Sequence, residues 1–281
     1  AMGNERVRYN HQTFPALGCL FAGEYFQKYY QAYEGEHWLE LADACFEMQQ
    51  KSFKAHEDCN GYQWLTLGHT VRYCLSRPDL TLFENGNARR IADYAMLTMN
   101  NIGTQVPYGD TGDWKCWFSE LPVLRAAEWY YRDGRYRWAV QKKVDYSGRQ
   151  ALTEFETKGP LAEPADLLGV RGWPVDPYYY RTFGGEGIPE REKTFDKISF
   201  RNGFDPQDSY LLLDGLSNGS HNHLDGNSVL QWTANDRVWV ADADYIKSLP
   251  KYHNGVLILK DGQSAKIPSY CELEHITDLP E

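Results

Sequence analysis

The sequence predicts two parts in series, an incomplete (α/α) toroid followed by an antiparallel, sandwich-like β-sheet domain. Three observations lead there. Apolar residues recur at helical spacing, in paired segments, from about Thr13 to Leu168. A stretch rich in Gly, Pro and Tyr follows, from Gly169 to Glu190. From Lys197 onward, short apolar and β-branched runs alternate with turn dipeptides. The expected boundaries are a toroid over 1–168, a linker over 169–196 and a β-domain over 197–281.

The first helix is expected over Phe14–Ala32, on Leu17, Leu20, Phe21, Tyr25, Phe26 and Tyr29. The run Tyr33-Glu34-Gly35-Glu36 should break it. Trp38–Lys51 restores the period with Leu39, Ala42, Cys45 and Phe46. Tyr62–Leu75 and Ala88–Met99 form the next pair, separated by Arg77-Pro78-Asp79. Beyond the Gly/Asp-rich loop Gly109–Trp114, Phe118–Tyr131 and Tyr136–Val140 make another helical region. Helix pairs without a strict repeat favour a closed toroid over an open solenoid. Strands are expected at Ile198–Arg201, Ser209–Leu213, Ser228–Thr233, Arg237–Ala241 and Val256–Leu259. Asn202-Gly203, Asp214-Gly215, Asn235-Asp236 and Asp261-Gly262 supply turns between them. Five or six strands leave an edge or a face uncovered, which suggests a piece of a larger protein or a sheet that pairs elsewhere.

Composition narrows the function. A net charge of −10 with no basic run argues against a nucleic-acid partner, because nothing is present to displace counterions. An anionic small substrate remains compatible, since a cleft can be locally basic on an acidic protein. Aromatics make up 15% of the chain, enough to pack the helices and still offer flat faces to sugar rings. The six cysteines form no C-x-x-C pair and read as buried free thiols. No stretch approaches the roughly eighteen apolar residues of a membrane span. Ala1-Met2-Gly3 reads as a cloning remnant rather than a signal peptide.

The chemistry concentrates in Ser220-His221-Asn222-His223-Leu224-Asp225, followed by Asp242 and by His253-Asn254. On an extended backbone His221 and His223 point the same way. With a carboxylate and a third imidazole, they can hold one Zn²⁺-like divalent ion and still spare a histidine. Asp242 shares a strand face with Val238 and Val240. If that face is core, the carboxylate is costly unless paired or metal-bound.

Around this motif the chain resembles the heparinase II/III-like polysaccharide lyases. The resemblance runs through Phe200-Arg201-Asn202-Gly203, Tyr210-Leu211-Leu212-Leu213 and Gly219-Ser220-His221-Asn222-His223-Leu224-Asp225. It continues through Val238–Asp242 and His253-Asn254-Gly255-Val256-Leu257-Ile258. The family joins an incomplete toroid to stacked antiparallel sheets, and its catalytic asparagine or histidine and its tyrosine come from the toroid. Tyr9-Asn10-His11-Gln12-Thr13 and Glu57-Asp58-Cys59-Asn60-Gly61-Tyr62 look like those two positions. Asp244 stands where the family usually has Gly, which leaves the carboxylate ligand open between Asp242 and Asp244; Asp242 is preferred, with His223 and His253. The resemblance implies an acidic polysaccharide substrate and a periplasmic or secreted setting.

Such a lyase cuts a uronate polymer of the alginate, ulvan or glycosaminoglycan kind by β-elimination. It removes the proton at C5 and expels the glycosidic oxygen from C4. The substrate carboxylate must be neutralised, a role for Asn10 or His11. A base must take the proton, His221 or Tyr62, and Tyr62 is the expected acid toward the leaving oxygen. Arg201, Tyr245 and Trp114 are candidate substrate contacts, Arg201 through a bidentate pair with an anion. A second class is a toroid glycoside hydrolase using Asp110 and Asp113, although both lie on one loop rather than facing each other across a sugar. A third is a non-catalytic glycan-binding fragment.

Overall fold

A computed structural model describes residues 5–111, 119–147, 159–242, 245–264 and 266–277. Helices come first: α1 (Asn10–Tyr30), α2 (Glu34–Gln49), α3 (Tyr62–Ser76), α4 (Thr81–Glu84), α5 (Asn87–Leu97), α6 (Leu121–Tyr131) and α7 (Gly134–Ser147). Helix α1 packs on α2 and α3, α3 also meets α6, and α6 packs on α5 and α7. One apolar core joins them, with Leu20, Phe46, Trp64, Ile91 and Leu124 fully or almost fully buried. Helix α1 turns Thr13, Ala16, Leu17 and Leu20 inward and leaves Phe21, Tyr25 and Tyr29 exposed, so the ring of helices does not close there.

Helix α2 starts at Glu34, inside the run expected to break the pattern. Gly35 lies against Gly23 of α1, where an added Cβ would come 3.0 Å from a carbonyl oxygen. The small residue that reads as a breaker serves a close helix crossing.

The segment 169–196 is no simple linker. It supplies β1 (Gly169–Trp173) and α8 (Pro177–Phe183). Strand β1 pairs antiparallel with β2 (Lys197–Arg201), Gly169 opposite Arg201 and Trp173 opposite Lys197. Two glycines in five residues hid this edge strand. Asp176 caps α8 by accepting from the backbone N–H groups of Tyr178 and Tyr179 at 2.8 and 2.9 Å. The sheet continues through β3 (Tyr210–Asp214), β4 (Val229–Ala234) and β5 (Arg237–Ala241) as an antiparallel meander in sequence order. Strands β6 (Leu259–Lys260) and β7 (Gln263–Ser264) form a separate hairpin. The strand expected at Val256–Leu259 is formed only from Leu259, and Val256 and Ile258 are exposed.

The sheet docks on the helices through a mixed face, in which Leu212 and Leu230 join the helical core beside buried polar groups. Tyr210 donates its hydroxyl to Leu97 O at 2.8 Å, and the Asn100 amide donates to Gln231 Oε1 at 2.6 Å. At the centre Lys54 Nζ lies 2.8 Å from Asp58 and 2.9 Å from Asp196. Lys197 Nζ lies 3.2 Å from Asp58, 3.0 Å from Asp196 and 2.8 Å from Asp214. Two ammonium groups thus meet three carboxyl groups, all buried. Burial pushes Asp214 well above the carboxylate range, whereas the two lysines outweigh burial at Asp196 and hold it down. Val238 and Val240 of β5 are only half-buried, so the face expected to be core is not; Asp242 just beyond is buried.

Cys45, Cys59, Cys74 and Cys271 are buried free thiols and Cys19 is partly buried; Cys116 lies outside the described residues. Among the described residues no helix is long and apolar enough to cross a membrane.

Candidate active site

Three loops meet where the sheet joins the helices: 56–61 before α3, 109–111 after α5, and 218–225 between β3 and β4. Ser220 N–H donates to His56 O at 3.0 Å and Asp58 N–H donates to Ser220 O at 3.2 Å, a short parallel bridge. Asp110 N–H donates to His221 O at 2.8 Å. Gly109 allows this approach: φ is +61°, and a Cβ there would lie 2.4 Å from Asp58 O and 2.6 Å from His221 O.

Side chains from the two parts of the chain meet here. The Tyr62 and His221 rings stack with centroids 3.9 Å apart and planes within 6°. Tyr62 comes from the first turn of α3 and His221 from the β3–β4 loop, where its φ of +57° places it in the left-handed region. The Tyr62 hydroxyl lies 3.0 Å from that of Tyr245. That hydrogen bond first, then burial, pushes the Tyr62 phenol up to about 12. It stays protonated at neutral pH, the state an acid needs.

Asp110 ties the two histidines together. Its Oδ2 lies 3.1 Å from His221 Nδ1 and its Oδ1 lies 2.9 Å from His223 Nε2. Ile246 N–H donates to the same Oδ1 at 3.0 Å, from a φ of +69° that is strained for a β-branched residue. Burial pushes Asp110 up, but the hydrogen bonds from His223, His221 and Ile246 outweigh it and hold the carboxyl below its ordinary value. An ionised carboxylate only accepts, so both facing nitrogens must carry protons. In neutral imidazoles this leaves lone pairs on His221 Nε2 and His223 Nδ1.

The candidate ligand cluster has Asp225 where Asp242 was expected. His223, His253 and Asp225 bring one ligand atom each within 4.8 Å of one another, the one such group among the described residues. Asp242 stands behind them and accepts from His253 Nδ1 at 2.9 and 3.0 Å. That bond leaves His253 Nε2 buried with no hydrogen-bond partner. Burial, then the nearby Asp58 and Asp242 carboxylates, push Asp225 up to about 7. The His223 Nδ1 lone pair, the orphaned buried His253 Nε2 and the crowded carboxylates fit a divalent cation. Asp242 fits as the group that orients His253. Asp225 was legible only as a turn cap, because its metal-facing direction depends on how the loop folds.

The other sequence candidates fall as follows. Asn10 is buried, and its backbone N–H and Nδ2 donate to Glu57 Oε1 at 2.5 and 2.9 Å. Glu57 bridges to Ser220, the neighbour of His221, so Asn10 joins the same cluster. His11 is exposed and stacks on Tyr9 with centroids 6.0 Å apart. Arg201 lies in the docking face, away from the histidine loop: it donates to Met99 O at 2.6 Å and to Asn101 Oδ1, and lies over the Tyr210 ring. Strand β2 points it into the docking face, where it satisfies backbone of the α5–α6 connection. Trp114, Asp113 and Asp244 lie outside the described residues. Glu57 escaped sequence reasoning as a site residue, although it opens the same acidic stretch as Tyr62.

The helices and the five-stranded antiparallel sheet that follows them define the fold. The fold is that of heparinase III. Its crystal structure superposes with a TM-score of 0.62 at 12% identity, covering 92% of this chain and 40% of that one. A heparinase III gene product with methylated lysines gives a TM-score of 0.53 at 13% identity, covering 95% of this chain and 39% of that one. This chain therefore spans well under half the length of the solved structures it resembles. No family model and no curated protein matches the sequence.

Proposed function

We propose that this chain carries the catalytic groups of a polysaccharide lyase that cleaves a uronate-containing polymer by β-elimination. The observation that carries the reading is the stacked Tyr62–His221 pair, with Asp110 on His221 Nδ1. In this scheme the Asn10 amide donates to the uronate carboxylate and lowers the cost of charge developing at C5. His221 Nε2 takes the C5 proton, and Asp110 holds the ring in the required tautomer and stabilises the imidazolium. The C5–H electrons form the C4–C5 double bond as the C4–O bond breaks. Tyr62 gives its proton to the departing oxygen, a role that suits a phenol held up at about 12. Tyr245, at 3.0 Å from the Tyr62 oxygen, orients that phenol at the exposed rim.

A divalent cation such as Zn²⁺ held by His223, Asp225 and His253 would fix the loop that presents His221. Heparinase III as a structural neighbour supports an acidic polysaccharide as substrate. Such an enzyme would work in the periplasm or outside the cell. A hydrolase is less well supported: its two candidate carboxylates share one loop rather than facing each other across a sugar, and Asp110 is engaged by both histidines.

The test is incubation with alginate, ulvan, heparan sulfate and chondroitin-type polymers, following ultraviolet absorbance of the conjugated unsaturated uronate. One polymer should yield the chromophore, and Tyr62→Phe should abolish it while leaving polymer binding largely intact. Wild-type turnover in that variant would remove Tyr62 from the scheme.

A further inference from the structure

We propose that Glu57 is a positioning residue that fixes the Asn10 amide, holding one N–H and leaving the other to meet a uronate carboxylate. The inference rests on the lyase reading and adds a residue to it. Glu57 is completely buried, between α1, α3 and the loop of His221. Its Oε1 accepts from Asn10 N at 2.5 Å and from Asn10 Nδ2 at 2.9 Å. Its Oε2 lies 3.3 Å from Thr66 Oγ1 on α3. An amide left to itself can flip and present its oxygen to an anion. An acceptor fixed on Nδ2 forbids the flip, because a turned amide would set oxygen against oxygen. Glu57 also holds the backbone that carries Asn10, so side chain and main chain are fixed by one atom.

The charge on Glu57 then matters. An ionised carboxylate behind the amide would repel the anion that the amide receives. Burial, partly offset by the Asn10 and Thr66 hydrogen bonds, pushes Glu57 up to about 7. Its titratable surroundings do not supply a compensating cation. His56 is lowered to about 4 by burial and takes the Ser220 hydroxyl on Nδ1 at 2.8 Å. His69 on α3 is likewise lowered to about 4 by burial, with Thr13 Oγ1 at 2.9 Å. Asp58 is paired with Lys54 and Lys197, and His11 on α1 is exposed. Neutral Glu57 can donate from Oε2 to Thr66 while Oε1 accepts from Asn10. Glutamine at this position reproduces that pattern without charge.

The experiment uses the full chain in a Tyr62→Phe background, which binds without turnover. Affinity for alginate and heparan sulfate oligosaccharides is measured by calorimetry between about pH 6 and pH 8. Glu57→Ala should weaken binding about tenfold, the loss of roughly one charge-assisted hydrogen bond. Glu57→Gln should restore it and flatten the decline in affinity that the parent shows as pH rises through about 7. In the free protein, the ¹⁵N-labelled Asn10 side-chain amide should titrate with the same midpoint and lose that titration in Glu57→Gln. This readout needs no substrate, so it judges Glu57 even if no unsaturated product is ever formed and the lyase reading fails. An Asn10 amide that does not titrate, or an unchanged pH profile in Glu57→Gln, would overturn the proposal, as would parental binding by a folded Glu57→Ala.

Discussion

Lys197→Met removes a charge from the buried cluster that docks the sheet on the helices while keeping the length of the side chain. The ammonium lies 2.8 Å from Asp214, 3.0 Å from Asp196 and 3.2 Å from Asp58. Without it Lys54 alone faces Asp58 and Asp196, and Asp214 keeps only the Leu216 N–H, at 2.9 Å. Removing one member of a buried ion pair costs about 3–5 kcal/mol, because the other charge stays buried without compensation. A typical domain has a total stability of about 5–15 kcal/mol, so the loss should be plain in urea unfolding followed by tryptophan fluorescence. The sign with pH is also fixed. In the variant an orphaned carboxyl has its folded-state pKa raised, so its proton supports the fold at low pH and that support is lost as pH rises. The gap to wild type should therefore widen with pH. Lys197→Met/Asp214→Leu should recover part of the loss, since an apolar pair needs no counter-charge. A loss below about 1 kcal/mol would refute the view that this cluster holds the two parts together.

Two further predictions concern the site. Asp110→Asn can accept from only one imidazole, so it should lower kcat roughly ten- to hundredfold, as expected for about 1.5–3 kcal/mol of a charge-assisted hydrogen bond. Steady-state rates of unsaturated-product release would check this, and a kcat within twofold of wild type would clear Asp110 of the role. Metal analysis of the purified protein should find about one divalent ion per chain, lost in Asp225→Ala and His253→Ala but only weakened, about ten- to hundredfold, in Asp242→Ala. Chelation should lower the Tm of the parent and leave that of His253→Ala unmoved.

The paired helices and the meander from β2 to β5 were legible because apolar period decides them, whereas Tyr62 and His221 were singled out together only through the family resemblance. The docking face was not legible. Lys197, Arg201 and Gln231 look like solvent-facing strand residues until Asp58, Met99 and Asn100 arrive from the connections between helices to satisfy them. Strand β1 hid in a Gly-rich stretch because pairing with β2, not its own side chains, makes it a strand. His223 and His253 could be singled out from their spacing as candidate ligands. That Asp225 rather than Asp242 stands beside them could not, because it depends on which carboxylate the loop turns inward and which one stops at His253 Nδ1.

The central claim is that the glycosidic bond is broken by elimination, without water entering the product. Cleavage of an acidic polymer in ¹⁸O-enriched water, with mass analysis of both new chain ends, tests it most directly. The account predicts unsaturated ends and no solvent oxygen incorporated during bond cleavage, after correction for exchange at the reducing end. Saturated ends carrying one ¹⁸O per cut would contradict it.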